Sequence, residues 1–188
     1  MRQSENEMIG RIFAATDQLM ASAGLPNLSM HKIAKQAGIS AGTIYLYFKN
    51  KEELLRQFAD KVFLDFQQVL RQEGDEQRDL FTRYRQMWWN VWHYLQNNPT
   101  KMANMHQYQS LPGFLENVQE WERSSYWKDF CTQGIQAGVI ADLPFAVLFA
   151  LSLESVITLS FKGNFCVTDL TTDLLEAVIQ RSWQAICN

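Results

Sequence analysis

Apolar residues recur at intervals of three and four along nearly the whole chain of 188 residues, and this spacing limits the possible folds more than any other feature. In the first segment, Met8, Ile12, Ala15 and Leu19 form such a series. Residues at these intervals lie on one face of an α-helix, whereas a half-buried strand needs alternating apolar and polar residues. No convincing alternating run of strand length is present. The sequence therefore predicts an all-α fold.

Glycine, proline and polar turns divide this pattern into nine predicted helices. The second and third are short, each begins at a serine that can cap it (Ser29 and Ser40), and a turn containing Gly38 joins them. Two short helices joined in this way form a helix-turn-helix motif. We therefore expect a helix-turn-helix domain over residues 1–50 and a larger helical domain over residues 51–188. The predicted helices cover approximately residues 6–23, 29–37, 40–47, 51–71, 76–97, 100–109, 114–137, 144–162 and 168–187.

Positive charge is concentrated in the first third of the chain. Residues 1–56 contain 7 Lys and Arg against 5 Asp and Glu, whereas residues 57–188 contain 10 against 15. From Gln18 to Lys51 there is no acidic residue, while four lysines and His31 fall in that stretch. A locally basic surface on an acidic protein is typical of a chain with a polyanionic partner. A solvated lysine face is the other explanation, and charge alone does not separate the two.

Residues 28–55 read LSMHKIAKQAGISAGTIYLYFKNKEELL, and this stretch closely resembles the signature of the TetR (tetracycline-repressor) family of transcriptional regulators. The match covers roughly the first third of the chain; beyond Arg56 only the number and order of helices support it. The resemblance implies a DNA-binding repressor that works as a dimer and releases its operator when a small ligand binds the C-terminal domain. The residues that stand in the places of the signature are Ser29, Ile33, Ala34, Ala37, Gly38, Ile39, Ser40, Gly42, Thr43, Tyr45, Tyr47, Phe48, Lys51, Glu52 and Leu54.

The exposed start and side of the second short helix is the expected DNA-contacting surface, because a recognition helix meets base edges and phosphates there. Ala41 and Gly42 would let the backbone approach the groove, and the Thr43 hydroxyl can bind a phosphate. Lys51 begins the next helix, so its ammonium and the free N–H groups of that helix end can bind one phosphate together. The expected DNA-binding residues are Ser29, His31, Lys32, Ser40, Ala41, Gly42, Thr43, Tyr45, Tyr47 and Lys51.

Three of these assignments have a structural alternative. The resemblance implies that Tyr45 and Tyr47 contact phosphates or bases, but Tyr45 can also serve in core packing. His31 can contact a base edge or can be merely exposed. Lys51 can be an ordinary lysine at a helix start, although a cation is unfavourable at that end of the helix dipole.

All six tryptophans follow residue 80, and their number is more than a DNA-binding function explains. Trp88 and Trp92 share a helix face and Trp89 lies beside it, so this helix can line an apolar ligand cavity as well as pack a core. The resemblance implies a ligand pocket in this part of the chain. Its candidate lining residues are Trp88, Trp89, Trp92, Met105, Trp127, Phe130 and Glu154.

Glu154 lies within the most apolar segment, where an acid is unfavourable unless it is paired, hydrogen-bonded or hydrated. It is either a counter-charge for a cationic lipophilic ligand or a polar contact at a dimer interface. The last two predicted helices carry more apolar surface than one subunit needs, which favours a homodimer formed through them. The helix over residues 51–71 belongs to both domains, so it is the expected route by which ligand binding alters DNA binding.

Other classes of function have weaker support in the sequence. No metal-ligand spacing, nucleophile motif or phosphate-binding glycine loop is present, so we expect neither an enzyme nor a cofactor. Cys131 with His93 or His106 is conceivable as a nucleophile pair, but a buried thiol is the commoner case. No signal peptide is apparent and Glu154 interrupts the one long apolar segment, so we expect a cytoplasmic protein without a membrane span. The remaining alternative is a ligand-binding helical interaction protein whose DNA-binding head is idle.

Overall fold

The computed structural model describes residues 2–72, 77–161 and 169–188, and over these ranges it is all-α, as the periodicity predicts. The residues it describes contain no strand, and Ile140 and Cys187 form an isolated antiparallel bridge. A short 3-10 helix, Leu25–Asn27, follows the first α-helix. The α-helices in the described ranges are α1 (Arg2–Ala23), α2 (Met30–Gln36), α3 (Ala41–Ile44), α4 (Lys51–Arg71), α5 (Leu80–Asn97), α6 (Pro99–Tyr108), α7 (Phe114–Arg123), α8 (Tyr126–Gln136), α9 (Phe145–Leu151), α10 (Glu154–Ser160) and α11 (Thr172–Gln184).

The predicted helix-turn-helix is present and its two helices are capped as the sequence indicates. The Ser29 side chain accepts a hydrogen bond from the Lys32 backbone N–H at the start of α2. At the start of α3, the Ser40 hydroxyl accepts from the Thr43 backbone N–H at 3.0 Å. Gly38, in the turn between them, has φ of 68°, a left-handed conformation that is strained for any residue with a side chain.

Two of the nine predicted helices are each divided into two, so the described ranges contain eleven α-helices. The helix predicted over residues 114–137 is interrupted before α8, where Ser125 adopts extended backbone and accepts from the Lys128 N–H. The apolar helix predicted over residues 144–162 is interrupted at Ser152, whose φ of −127° and ψ of −84° are not helical. Both breaks occur at serines, which bond to local backbone and compete with the helix. The predicted limits at 76, 162 and 168 lie outside the described residues.

The chain folds as two compact units whose limits differ from the boundary expected at residue 50. The first comprises residues 1–63 and 99–117, and the second comprises residues 64–98 and 118–188. Helix α6 therefore belongs to the unit that contains the helix-turn-helix, because it packs against α1. Sequence order separates these two helices by four others, which is why the pattern alone gave no sign of the contact.

The core of the first unit is formed by α1 to α4 together with α6. The Phe13 ring lies between two other aromatic rings, with its centroid 5.7 Å from those of both Phe48 and Phe58. Ile33, on α2, and Ile44, on α3, are both fully buried. The apolar residues of the motif thus hold the two short helices on this core, and the opposite side of α3 faces solvent.

A buried carboxylate joins α1 to α6 within the first unit. Asp17 is almost fully buried, and its Oδ1 accepts hydrogen bonds from Asn104 Nδ2 and from the Tyr108 hydroxyl, both at 2.7 Å. Lys101 Nζ lies 2.9 Å from the other carboxylate oxygen. All three partners come from α6, so one charge fixes the position of this helix on α1.

The second unit has an aromatic core whose polar ring atoms are mostly bonded. Tyr84, Trp88, Trp127 and Phe130 are completely or almost completely buried. The Tyr84 hydroxyl lies 2.7 Å from Ser182 Oγ. The Trp127 ring N–H donates to the Phe145 carbonyl at 3.0 Å. Among the described helices, none combines enough length with enough apolar character to cross a lipid bilayer.

Candidate nucleic-acid interface

The N-terminal end of α3 presents small residues to solvent. Ala41 and Gly42 are exposed, while Ile44 on the opposite side is fully buried. A Cβ added to Gly42 would meet nothing closer than Ser40 Oγ at 3.7 Å, so the folded chain itself has room for a larger residue there. A glycine in a helix is also less stable than alanine by about 0.5–1 kcal/mol. Packing within the folded chain therefore does not require glycine at this position, and the exposed backbone is open to close approach by another molecule.

Tyr45 and Leu46 extend the exposed surface beyond α3. Tyr45 is 55% exposed and Leu46 is 83% exposed. Tyr47 is half-buried and packs against the core of the first unit. The exposure of Tyr45 disfavours the core-packing alternative for that residue, since a packing role would bury the ring. Sequence analysis did not single out Leu46, although its position between the buried Ile44 and Phe48 places it on the opposite, outward side.

The cationic side chains near this surface also bind backbone carbonyl groups of their own unit. Lys32 Nζ donates to the Asn27 carbonyl at 3.0 Å, and Lys51 Nζ donates to the Leu28 carbonyl at 2.9 Å. An ammonium group has three donors, so each lysine keeps further N–H groups for an anion. His31 is exposed.

The N-terminus of α4 has a cap that the sequence analysis did not identify. Asn50 Oδ1 accepts from the Glu53 backbone N–H at 2.8 Å, and Glu53 Oε2 accepts from the Lys49 N–H at 2.7 Å. A carboxylate thus already lies at this positive helix end. For a phosphate, the Lys51 ammonium and the N–H groups not used in this cap remain as donors.

The exposed residues of the helix-turn-helix and the start of α4 form a solvent-facing surface with hydrogen-bond donors and a tyrosine ring. The sequence from Gln18 to Lys51, which supplies most of this surface, contains no acidic residue. Such a surface is suited to phosphate groups and groove edges, because cations and N–H groups bind phosphates while small residues permit close approach. The described residues contain no group of three His, Cys, Asp or Glu that could hold a metal ion.

The residues predicted to line a ligand pocket fall in different places. Trp88 and Trp92 are stacked with ring centroids 5.8 Å apart, and Trp89 packs edge-on against Trp88. The Trp127 ring lies 5.7 Å from that of Phe130 in the second unit. Met105 instead packs against the core of the first unit, on α6. The second unit has two cavities that are both lined by Arg71, Tyr126 and Asp129, and none of the predicted pocket residues lines either of them.

Glu154 is the first residue of α10 and is half-buried. The sequence placed it in the middle of one apolar helix, but the break at Ser152 puts it in a first turn, where an acid is favourable. This position explains why the residue is tolerated. Its predicted role at a ligand or a dimer interface stays a prediction.

Cys131 does not have the properties of a nucleophile. The side chain is fully buried, and burial raises the pKa of its thiol. The reactive form of cysteine is the thiolate, which this environment disfavours. Cys187 is also a free thiol with a raised pKa, and Cys166 lies outside the described residues.

The fold and this surface define an all-α protein with an N-terminal helix-turn-helix that is typical of bacterial DNA-binding regulators. Residues 12–58 match the family model described as bacterial regulatory proteins of the tetR family. Residues 79–187 match the model described as the tetracyclin repressor-like C-terminal domain. The second match covers more than half of the chain.

Individual proteins agree with the family models. An uncharacterized helix-turn-helix transcriptional regulator from Haemophilus influenzae is 48% identical over 99% of both chains. The crystal structure of a TetR-family transcriptional regulator from the same organism has a TM-score of 0.89 at 48% identity, covering 96% of this chain and 99% of that one. The transcriptional regulator FadR from Bacillus subtilis, solved in complex with stearoyl-CoA, has a TM-score of 0.70 at 22% identity, covering 94% and 98%. The chain belongs to the TetR family of transcriptional regulators.

Proposed function

We propose that this chain is a repressor that binds a palindromic DNA operator as a homodimer and releases it when a small molecule binds the helical region. The exposed surface of the helix-turn-helix, with Gly42 and Tyr45 facing solvent and no acidic residue in the sequence from Gln18 to Lys51, is the observation that carries the proposal. The protein carries out no catalytic step in this role, and it acts in the cytoplasm, where its DNA lies.

Dimerisation follows from the size of the DNA-contacting surface. A single helix-turn-helix offers only a few phosphate and base contacts, so one copy binds weakly and with strong salt dependence. In a two-fold symmetric dimer, two recognition helices enter successive major grooves about 34–36 Å apart. The operator is therefore expected to be a palindrome.

An apolar face suited to a second copy is present near the C-terminus. Val147 and Leu151 on α9 and Leu143, two residues before that helix, are spaced four residues apart, and all three are exposed. Leu174, on α11, is exposed as well. These side chains are 39–45% exposed, so covering what remains exposed stabilises an interface by up to about 1 kcal/mol for each residue, and four on each subunit together provide a driving force. These positions support the expected dimerisation through the last two predicted helices.

Ligand-controlled release is a two-state process. A ligand that binds more tightly to the conformation unable to fit the operator lowers DNA affinity by the ratio of its two affinities. The Bacillus subtilis structure with stearoyl-CoA supports the idea that a chain of this fold can hold a small molecule. The inducer proposed from the sequence is hydrophobic or amphiphilic, and the aromatic residues Trp88, Trp92, Trp127 and Phe130 supply suitable surface.

The experiment is a fluorescence-anisotropy titration of duplex fragments from upstream of the gene, compared with random duplex at several salt concentrations. Leu46→Ala and Tyr45→Ala should each weaken operator binding, by about 1–3 kcal/mol for a lost specific contact. Leu115→Ala is the matched control, because Leu115 is an equally exposed leucine of the same unit outside the motif. Val147→Glu should yield monomers in sedimentation and weaken binding, whereas Val139→Glu should not.

Equal binding of palindromic and random duplex, together with no effect of Leu46→Ala, would contradict the proposal. That result would favour the second candidate, a ligand-binding helical interaction protein with an idle DNA-binding head. A monomer that binds its operator at full affinity would contradict the dimer part alone.

A further inference from the structure

Arg83, in the first turn of α5, is a buried cation without an acidic partner. It is 5% exposed, and no Asp or Glu of the described residues lies within ion-pair distance of it. Its Nη1 donates to Gln133 Oε1 at 2.7 Å, and its Nε is buried with no hydrogen-bond partner. Its guanidinium has five N–H donors and no acceptor, so burial leaves donors that need an acceptor from another group.

The contacts of Arg83 within the chain compensate this charge only in part. The guanidinium carbon lies 5.3 Å from the centroid of the Phe130 ring, a cation–π contact. The amide oxygen of Gln133 is a neutral acceptor. Buried arginines are otherwise paired with anions, because an unpaired charge out of water is strongly unfavourable. An anionic ligand that binds Arg83 would therefore stabilise its buried charge.

A cavity gives such an anion access to Arg83. It has a volume of about 310 Å³ and is lined by Arg71, Arg83, Tyr126, Asp129, Thr132 and Gln133, all from the second unit. A second cavity of about 320 Å³ shares Arg71, Tyr126 and Asp129 with the first and extends along α4 to Leu64. The lining is polar, with hydroxyl, amide and guanidinium groups, which distinguishes it from the tryptophan-rich surface expected to hold an apolar inducer. The volume is at the lower end of the range for ligand pockets.

Arg71 supplies a second positive charge at this cavity. It is an exposed residue in the last turn of α4, and its guanidinium carbon lies 5.8 Å from the centroid of the Tyr126 ring. A cation at a helix C-terminus is also favoured by the helix dipole, which accounts for its presence without a ligand. Arg83 has no such explanation, because it lies in a first turn, where a cation is unfavourable.

Asp129 is the one acidic residue among the described residues that line the two cavities. It is exposed and forms no ion pair with Arg71 or Arg83 in the described part of the chain. The cavity therefore keeps a net positive charge. The Asp129 carboxylate would repel an incoming anion, but it can also accept a hydrogen bond from a hydroxyl group of the same ligand.

We propose that this cavity binds the oxyanion of a small, polar organic acid or phosphate ester, with Arg83 as its principal partner and Arg71 and Thr132 as further donors. The planar guanidinium fork matches a carboxylate or a phosphate with two parallel hydrogen bonds. Anion binding at this site is argued from the cavity and the buried charge alone. The further inference that the anion is an effector, which changes the affinity for the operator, rests on the proposed function.

The test is calorimetric titration of the full chain with citrate, benzoate, inorganic phosphate and glycerol 3-phosphate, each against sodium chloride of matched ionic strength. We expect saturable binding of at least one probe, and the carboxylate and phosphate series distinguish the two sources of the oxyanion. Arg83→Met, which keeps the volume and removes the charge, should weaken binding about tenfold or more. Arg83→Lys, which retains charge but not the fork, should lie between Arg83→Met and the unaltered chain.

Arg85→Met is the matched control, because Arg85 lies two residues further along α5 and pairs with Glu176. It should bind the probes as the unaltered chain does. Asp129→Asn should strengthen binding, because it removes the competing negative charge; this variant also keeps the test decisive if Arg83→Met folds poorly. Absence of saturable binding for all four probes, or equal binding by Arg83→Met and the unaltered chain, would overturn the proposal, as would weaker binding by Asp129→Asn.

Operator binding is measured separately in the absence of any probe. Loss of operator recognition would refute the proposed function and leave the anion site intact. Conversely, a chain that binds its operator but none of the four anions would refute only the site.

Discussion

The two compact units treat a buried charge in opposite ways. In the first unit, Asp17 is buried with three polar partners from α6, one of them the cation Lys101. In the second unit, Arg83 is buried with a neutral amide and an aromatic ring, and the described residues offer it no acid. The first arrangement is complete within the chain, whereas the second lacks an anion.

A buried charge that has its partners within the chain stabilises the fold, whereas a buried charge that lacks an anion indicates a binding site. A satisfied buried network rigidifies the element it joins, because removing any member leaves the others unpaired. An unsatisfied one marks a position at which a ligand can stabilise the protein. In the first unit we therefore expect binding at the exterior of the helix-turn-helix, and in the second unit we expect it at the cavity beside Arg83.

The largest expected effect comes from breaking the satisfied network. Asp17→Ala removes the buried carboxylate to which Asn104, Tyr108 and Lys101 bind, and should reduce the free energy of unfolding by about 3–5 kcal/mol. Urea denaturation followed by circular dichroism measures it. Glu7→Ala, at an exposed position of the same helix, should change stability by less than about 0.5 kcal/mol. If Asp17→Ala lowered the free energy of unfolding by less than about 1 kcal/mol, the hydrogen-bond network would not be what holds α6 on α1.

An intermediate effect is expected from a pair of helical glycines, one in each unit. A Cβ at Gly134, in α8, would overlap the buried Ile140 side chain, whose Cγ1 would lie only 2.6 Å away, so Gly134→Ala should destabilise the protein by about 1–3 kcal/mol. A Cβ at Gly10, in α1, meets nothing within 4 Å. Gly10→Ala should therefore stabilise by about 0.5–1 kcal/mol. Thermal denaturation of both variants checks the opposite signs, and equal signs would contradict the packing described for α8.

The smallest effect concerns an ion pair at the surface of the second unit. Hydrogen bonds from Arg85 and Trp89 hold the pKa of Glu176 below its usual value. A carboxylate with a depressed pKa stabilises the fold above its unfolded-state pKa, and this stability is lost as the pH falls through the lower folded-state value. Because both partners are partly exposed, Glu176→Gln should lose less than about 1 kcal/mol at pH 7.

The pH dependence gives this last prediction its check. The difference in unfolding free energy between Glu176→Gln and the unaltered chain should shrink as the pH is lowered below about 4, where the carboxylate becomes protonated. Tryptophan fluorescence follows the same change, because the Trp89 ring N–H donates to Glu176 at 2.9 Å. A difference that is constant from neutral to acidic pH would contradict the assignment.

Much of the architecture was predictable from local pattern. The all-α class, the helix-turn-helix and the serine caps of α2 and α3 follow from periodicity and capping chemistry, and the structure confirms them. The breaks at Ser125 and Ser152 were not predicted, since a serine within an apolar helical pattern is compatible with either a continuous helix or a cap. The count of nine helices was low for that reason.

The site was predictable to a different extent in the two units. The predicted DNA-binding residues form a short contiguous stretch, so their exposure follows from which neighbours are buried, and the exposure of Leu46 could have been predicted in the same way. Met105, a predicted pocket residue, lies on α6 against the core of the first unit, and its role at a ligand stays a prediction. Arg83 had no local signal at all, because a charged residue at the start of a helix is ordinary in sequence.

Local sequence pattern was enough to predict where helices form, which residues of the motif are buried and which family the chain resembles. These properties depend on intervals of a few residues, over which backbone geometry is fixed. The tertiary structure alone decided that α6 joins α1 through Asp17 and that Arg83 is buried beside a cavity without an acid. Burial and pairing of a charge depend on residues distant in sequence, and only packing brings those together.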